Sequence, residues 1–171
     1  MKKSTLLFLI KRSKTTPGKP GAGSAITDIC LAMKKRSFGA GRWNGVGGKV
    51  APGETVRDAA IRETREEIGV AVHDLKAIAQ LAFIFSKNPS WNQTMYAYFC
   101  ETWDGVPTES EEMRPQWFSV NALPFSEMWP DDIFWIPPVL AGKLIKGSFT
   151  FGEGDVIEAQ NVTEVSALDP E

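Results

Sequence analysis

"GGKVAPGETVRDAAIRETREEIGV", residues 47–70, joins two kinds of local signal. Its first part is rich in glycine with one proline, the composition of a loop. From Thr55 to Ile68 it predicts a helix. Val56, Ala60, Thr64 and Ile68 recur every four residues with Ile61 beside them, and Gly69 supplies a stop. On that helix Glu63, Glu66 and Glu67 stand at i, i+3 and i+4 and share one face. Three like charges there repel, so something positive must compensate. Arg62, Arg65 and nearby Lys49 offer part of it; a hard divalent cation, which favours carboxylate oxygen, offers more. For "REEIG" alone, a solvated acidic face with i,i+4 ion pairs is the simpler explanation.

Outward from this helix the pattern is mixed. Residues 4–11 and "ITDICLAMKKR" (26–36) read as two strands of a hairpin, its tip the flexible Gly-, Pro-, Ser- and Lys-rich segment 13–25. "SFGAGRWNGVGGKV" (37–50) reads as loop and short strand. Further strands are expected at 78–86, 94–103 and 115–120. A second helix is expected from Asp131 or Asp132 to about Lys146, with Pro137 and Pro138 awkward within it. "SFTFG" and "DVIEAQNVTEV" close the order as strands, and 165–171 is expected as a mobile tail. The class is α+β: one domain over 1–171, a sheet core with helices packed outside.

Composition narrows the partners. A net charge of −2 gives no reason to expect long nucleic acid, although a metal ion would still admit small anionic substrates. Cys30 and Cys100 lie far apart in strand-like stretches and read as buried reduced thiols without zinc-site spacing. His73 is the only histidine and reads as a surface residue, which excludes a multi-histidine metal site within one chain. No stretch approaches the roughly 20 apolar residues of a membrane span. The opening "MKKSTLLFLIKRSK" has too short an apolar run for a signal peptide and reads as the first strand of a cytoplasmic protein, expected as a monomer.

The full spacing is more specific than its parts. Gly48 is followed after five residues by Glu54, then after seven by Arg62–Glu63, then by Glu66–Glu67, Gly69 and the apolar Val70. This resembles the Nudix box at every fixed letter; Thr64 stands where a bulky apolar residue is usual. The resemblance implies a Nudix fold, with a loop–helix–loop against a mixed sheet, and hydrolysis of a nucleoside diphosphate linked to another group. It implies Mg²⁺, with Mn²⁺ as an alternative, held by Glu63, Glu66 and Glu67 with the carbonyl of Gly48. It gives Glu54 and Arg62 the task of holding loop to helix, and makes water the nucleophile with a glutamate as base.

Two flanking stretches, "MKKRSFGAGRWNGVGGKV" (33–50) and "ESEEMRPQWFSVNALPFSEMWPDDIFW" (109–135), resemble the MutT-like hydrolases of oxidised purine nucleoside triphosphates, the mammalian 8-oxo-dGTPase type. That resemblance implies base contacts from Asn44, Asp131 and Asp132, aromatic walls from Phe38, Phe83 and Trp129, and sugar-side positions for Thr5 and Lys34. Glu112 matches an acid outside the box that approaches the metal or its water. Segment 87–94 differs from the family and carries no implied pocket residue. The substrates implied are 8-oxo-dGTP and 2-oxo-dATP types, cleaved to monophosphate and pyrophosphate to sanitise the nucleotide pool. The residues themselves admit plainer roles: Asp131 or Asp132 as a helix N-cap, Asn44 as a turn residue, Phe38 and Phe83 as core. A Nudix hydrolase of another nucleotide, or an idle nucleotide sensor, are the rival functions.

Overall fold

The computed structural model describes residues 1–14 and 24–171. The expected hairpin tip therefore lies outside the described residues except at its ends, where Ser13 N donates to Ala25 O at 2.9 Å. Its flanks are β1 (Lys2–Arg12) and β2 (Ile26–Lys34), antiparallel with Ile10 opposite Ile29. The chain continues through β3 (Trp43–Asn44), α1 (Val56–Ile68), β4 (Ala71–His73), β5 (Lys76–Phe85), β6 (Gln93–Cys100), β7 (Thr102–Asp104), β8 (Met113–Ser119), α2 (Asp132–Leu140), β9 (Leu144–Phe151) and β10 (Ile157–Val165).

The main sheet runs β10-β9-β5-β6-β1-β2-β3, with β8 also paired to β2. Its β1–β6 and β5–β9 pairs are parallel and the others antiparallel. Alternation along β1 divides the core. Leu7 and Leu9 join Val56, Ala60 and Ile68 of α1 on one face. Phe8 and Ile10 join Trp135, Ile136 and Val139 of α2 on the other. The α+β class is therefore what the chain adopts, a mixed sheet between two helices.

Helix α1 starts where its capping chemistry directs. Thr55 is extended and its side chain accepts from Asp58 N, while Gly69 closes the helix at φ 74. Thr64 is fully buried and satisfies its hydroxyl by donating to Ala60 O at 2.7 Å. Ile61 departs from expectation: it is 39% exposed, and Ala59 takes the buried place.

Three further boundaries differ from the sequence reading. The expected strand 94–103 is two strands, because β7 leaves the main sheet and pairs with β4, a strand the sequence pattern does not announce. Cys100 at the break is buried and its Sγ donates to His73 O at 3.1 Å. Helix α2 ends at Leu140 rather than near Lys146: Gly142 adopts φ 89, and Ile145 and Lys146 pair with Ala79 and Gln80 of β5. Pro137 and Pro138 sit inside α2 after all. The carbonyls they leave without helical donors belong to Ile133 and Phe134, both exposed, where water can reach them. Finally, the expected mobile tail lies along the sheet, with Gln80 Nε2 donating to Asp169 O at 2.8 Å and Asp169 N donating back to Gln80 Oε1 at 3.1 Å. Among the described residues no helix is long and apolar enough to cross a membrane.

Candidate active site

The sheet opens between β1 and β2, and the glycine-rich loop fills the opening. Beyond Ile29 the two strands no longer pair; Leu7 and Ser4 of β1 instead bridge to Val46 and Lys49. Thr5 N donates to Gly48 O at 2.8 Å and Leu7 N to Val46 O at 2.7 Å. Gly47 must be glycine for this approach, since a Cβ there would stand 1.9 Å from Thr5 O. Gly47→Ala is accordingly expected to lose about 1–3 kcal/mol of stability by urea denaturation, the usual cost of overpacking. A stability equal to wild type would refute the close approach.

This loop meets the acidic face of α1. Gly48 faces Glu63, whose carboxyl carbon would lie 2.5 Å from a Cβ at position 48. Glu67 is buried at 5% exposure, and its Oε2 accepts from Gly47 N at 3.2 Å. Burial pushes its carboxyl up to about 7; Lys34 and the Gly47 amide oppose this, and Glu63 and Glu112 add to it. Arg62 ties the arrangement together. Its Nε and Nη2 donate to the two oxygens of Glu54 at 2.8 and 2.9 Å, and Nη2 also reaches Lys49 O at 3.2 Å. The Arg62 hydrogen bonds, aided by the amide of Ala51, hold Glu54 at about 2. Arg62 Nη1 meanwhile lies 2.7 Å from Glu63 Oε1 and 3.3 Å from Glu66 Oε2. The positive charge that the three glutamates require is thus partly supplied by the chain itself.

Whether a divalent cation fits can be judged from these donors. Among the described residues no group of three or more His, Cys, Asp or Glu side chains stands gathered as a metal site. Glu63 and Glu66 face Arg62, Glu66 is largely exposed, and Glu112 pairs with Arg36 at 2.7 Å. Yet the carboxyls of Glu63, Glu67 and Glu112 line one cavity with Gly48, whose carbonyl accepts from Thr5 N and keeps a second lone pair. Glu67 is a buried carboxylate with only a backbone amide bonded to it. Oxygen donors around a buried acid suit a hard cation, once Glu63 and Glu66 turn from Arg62.

The same cavity, of 510 Å³, also receives Thr5, Lys34, Phe38, Asn44, Phe83, Trp129, Asp131 and Asp132. Of the expected metal ligands, Glu66 does not line it; nor do Glu54 and Arg62, which bond the loop at Ala51 and Lys49. Asp131 and Asp132 are each 2% exposed. Asp131 occupies the N-cap position of α2, but its side chain makes no capping bond. Its Oδ2 accepts from Trp135 Nε1 at 3.0 Å, and Asp132 Oδ2 accepts from Trp129 N at 3.2 Å. Burial pushes Asp131 up to about 6 and Asp132 well above its ordinary range, where Asp131 raises it further. Asn44 turns its Oδ1 to its own neighbour, accepting from Gly45 N at 2.8 Å, so its amide nitrogen remains a donor.

Aromatic rings surround this part of the cavity. Phe38 lies 5.2 Å from Trp129, and Arg42 stacks over the Trp129 ring at 4.1 Å while paired to Asp155 at 2.9 Å. Thr5 Oγ1 is buried and has no hydrogen-bond partner among the described residues, a polar atom prepared for a ligand. Sequence reasoning missed Phe85, Trp91, Gln93 and Phe151. Phe85 follows Phe83 at strand spacing and was findable; Trp91 lies in a turn that periodicity does not describe.

Known proteins resemble this chain along most of its length. A NUDIX domain model matches residues 20–137. The chain is 45% identical over 140 residues to the oxidized purine nucleoside triphosphate hydrolase of Mus musculus, covering 82% of this chain and 89% of that protein. The protein of the same name from Danio rerio gives the same identity and coverage. Among solved structures, a MutT protein from Bacillus halodurans superposes with a TM-score of 0.74 at 18% identity, over 95% of this chain and 97% of that one, a likeness of fold.

Proposed function

This chain belongs to the Nudix family, and from that premise we propose that it is a pyrophosphohydrolase of oxidised purine nucleoside triphosphates. Water adds to a phosphorus of the triphosphate, one P–O–P bridge breaks, and nucleoside monophosphate and pyrophosphate leave. The observation that carries the reading is one cavity holding both halves of such a substrate's complement. Glu63, Glu67 and Glu112 with Gly48 line it, and so do Asn44, Asp131, Asp132 and a ring of aromatics.

Each group has a task that its chemistry suits. Glu63, Glu66 and Glu67, with Gly48 and Glu112, would hold Mg²⁺, or Mn²⁺ in its place. When bound, the cation screens phosphate charge and activates water. Lys34 and Lys49 line the cavity and bring further positive charge toward the phosphates. Thr5 Oγ1, buried without a hydrogen-bond partner among the described residues, would bond a sugar hydroxyl. Phe38, Phe83 and Trp129 present apolar faces to a flat base. Burial raises both Asp131 and Asp132, which favours a proton held within the pair, and such a proton would offer a donor beside acceptors. Moving that proton between the two carboxyls changes which purine edge they match. This supports tolerance of 8-oxo-dGTP and 2-oxo-dATP alike, and a role in clearing damaged nucleotides before they enter nucleic acid.

With Mg²⁺ present, the protein is expected to turn over 8-oxo-dGTP with a kcat/KM at least about tenfold above that for dGTP. The assay is pyrophosphate release under initial-rate conditions. Equal efficiency on both nucleotides would sink the oxidised-purine reading. No pyrophosphate release from any nucleotide in a panel that includes a nucleotide sugar would leave only a binding module.

A further inference from the structure

Trp91 stands outside every group assigned to the site so far, yet it faces the cavity. It ends the short 3-10 turn Pro89–Trp91 between β5 and β6. The turn is held at three points. Lys2 Nζ donates to Ser90 O at 2.8 Å, Asn92 Oδ1 accepts from Phe85 N at 2.8 Å, and Trp91 N donates to Asn88 O at 2.9 Å. The ring remains 44% exposed, so little of the core depends on it.

Its neighbours are aromatic rings of the same cavity. Trp91 lies 4.9 Å from Phe38 at 62° and 5.7 Å from Phe85 at 82°, both edge-on. Phe38 in turn lies 5.2 Å from Trp129, with the rings inclined by 33°. A base stacked between two rings needs roughly 7 Å between them, twice the contact distance of carbon atoms. At 5.2 Å no base fits between Phe38 and Trp129, so a base packs against the aromatic surface that these rings and Trp91 form together.

We propose that Trp91 is a specificity-determining residue of this pocket: with Phe38 and Phe85 it builds an aromatic wall of the cavity that Asn44, Asp131 and Asp132 also line, and the area of that wall favours a fused two-ring base. The proposal rests on the purine reading above and adds the residue that enforces it. A purine offers such a wall more apolar area to cover than a pyrimidine does. The anchors at Ser90 and Asn92 matter because a wall discriminates size only if it does not retreat.

The test uses the full-length protein with Trp91→Ala and Trp91→Phe. Trp91→Ala is expected to raise KM for 8-oxo-dGTP about fivefold, with kcat changed by less than about twofold, because the indole ring serves binding and takes no part in the chemistry. Its ratio of kcat/KM for dGTP over dCTP should fall by a similar factor. Trp91→Phe should restore most of both, and both variants should melt close to wild type. An unchanged KM together with an unchanged purine-to-pyrimidine ratio in Trp91→Ala would overturn the proposal. Titration calorimetry with dGMP separates the two readings. If wild type shows no preference for the oxidised nucleotide but Trp91→Ala still weakens dGMP binding, the oxidised-purine reading fails and the wall stands.

Discussion

Glu67→Gln is expected to lower kcat by about a thousandfold while the protein folds normally. The amide keeps the volume of the side chain and can still accept from Gly47 N, which now bonds Glu67 Oε2 at 3.2 Å. What it loses is the negative charge at the buried end of the acidic face, where a cation and a proton must both be managed. The same substitution should change stability in the opposite sense. Burial raises the Glu67 carboxyl from 4.5 to about 7, so the folded state holds this proton more tightly than the unfolded state. Stability is then lost as pH rises from 4.5, and the loss is complete above about 7. In metal-free buffer the variant should match wild type near pH 4 and melt at a higher temperature at pH 8. Full activity would refute the role of this carboxylate; a lower melting temperature at pH 8 would refute the account of its burial.

The second large effect is expected at the aspartate pair. Asp131→Asn should raise KM for the oxidised purine about 10- to 100-fold, as expected when a buried polar partner of a ligand is mismatched. The requirement for Mg²⁺ should be unchanged. Asparagine keeps an acceptor for Trp135 Nε1 but fixes a donor where the carboxyl can take up or release a proton. Because both folded pKa values are raised, the pair stays protonated to higher pH than free carboxyls. Purine affinity should accordingly weaken as rising pH removes the last proton, and Asp132→Asn should flatten that dependence. KM measured between pH 6 and 9 on wild type and both variants decides this. A substrate profile identical to wild type in Asp131→Asn would return that residue to a structural role at the start of α2.

The local features of α1 were legible because their physics is local. Thr55 caps, Gly69 stops, and the four-residue recurrence of Val56, Ala60, Thr64 and Ile68 makes the buried face whatever it packs against. The limits of that reading come from packing. Ile61, beside the recurring positions in the pattern, stays 39% exposed because the rest of the fold does not cover its edge of the helix. Asp131 followed a propensity correctly as far as the backbone, but its carboxylate bonds an indole four residues on rather than the helix end. The split of β6 from β7 and the end of α2 at Leu140 depend on which strands each segment meets, and no window of sequence contains its partner.

By itself, then, the sequence determined the helix, its cap and stop, the acidic face and the residue types available to a metal and a purine. Those follow from spacing and from chemistry that a side chain carries wherever it goes. Only the tertiary structure decided how they meet. It opens β1 from β2 so that Gly47 and Gly48 can lie against Thr5 and Glu63. It buries Glu67 yet leaves Glu66 at the surface, and it brings Trp91 to the same cavity as Asp131. The reason is that burial and approach are properties of pairs far apart in the chain, fixed by the packing of the sheet and its two helices together.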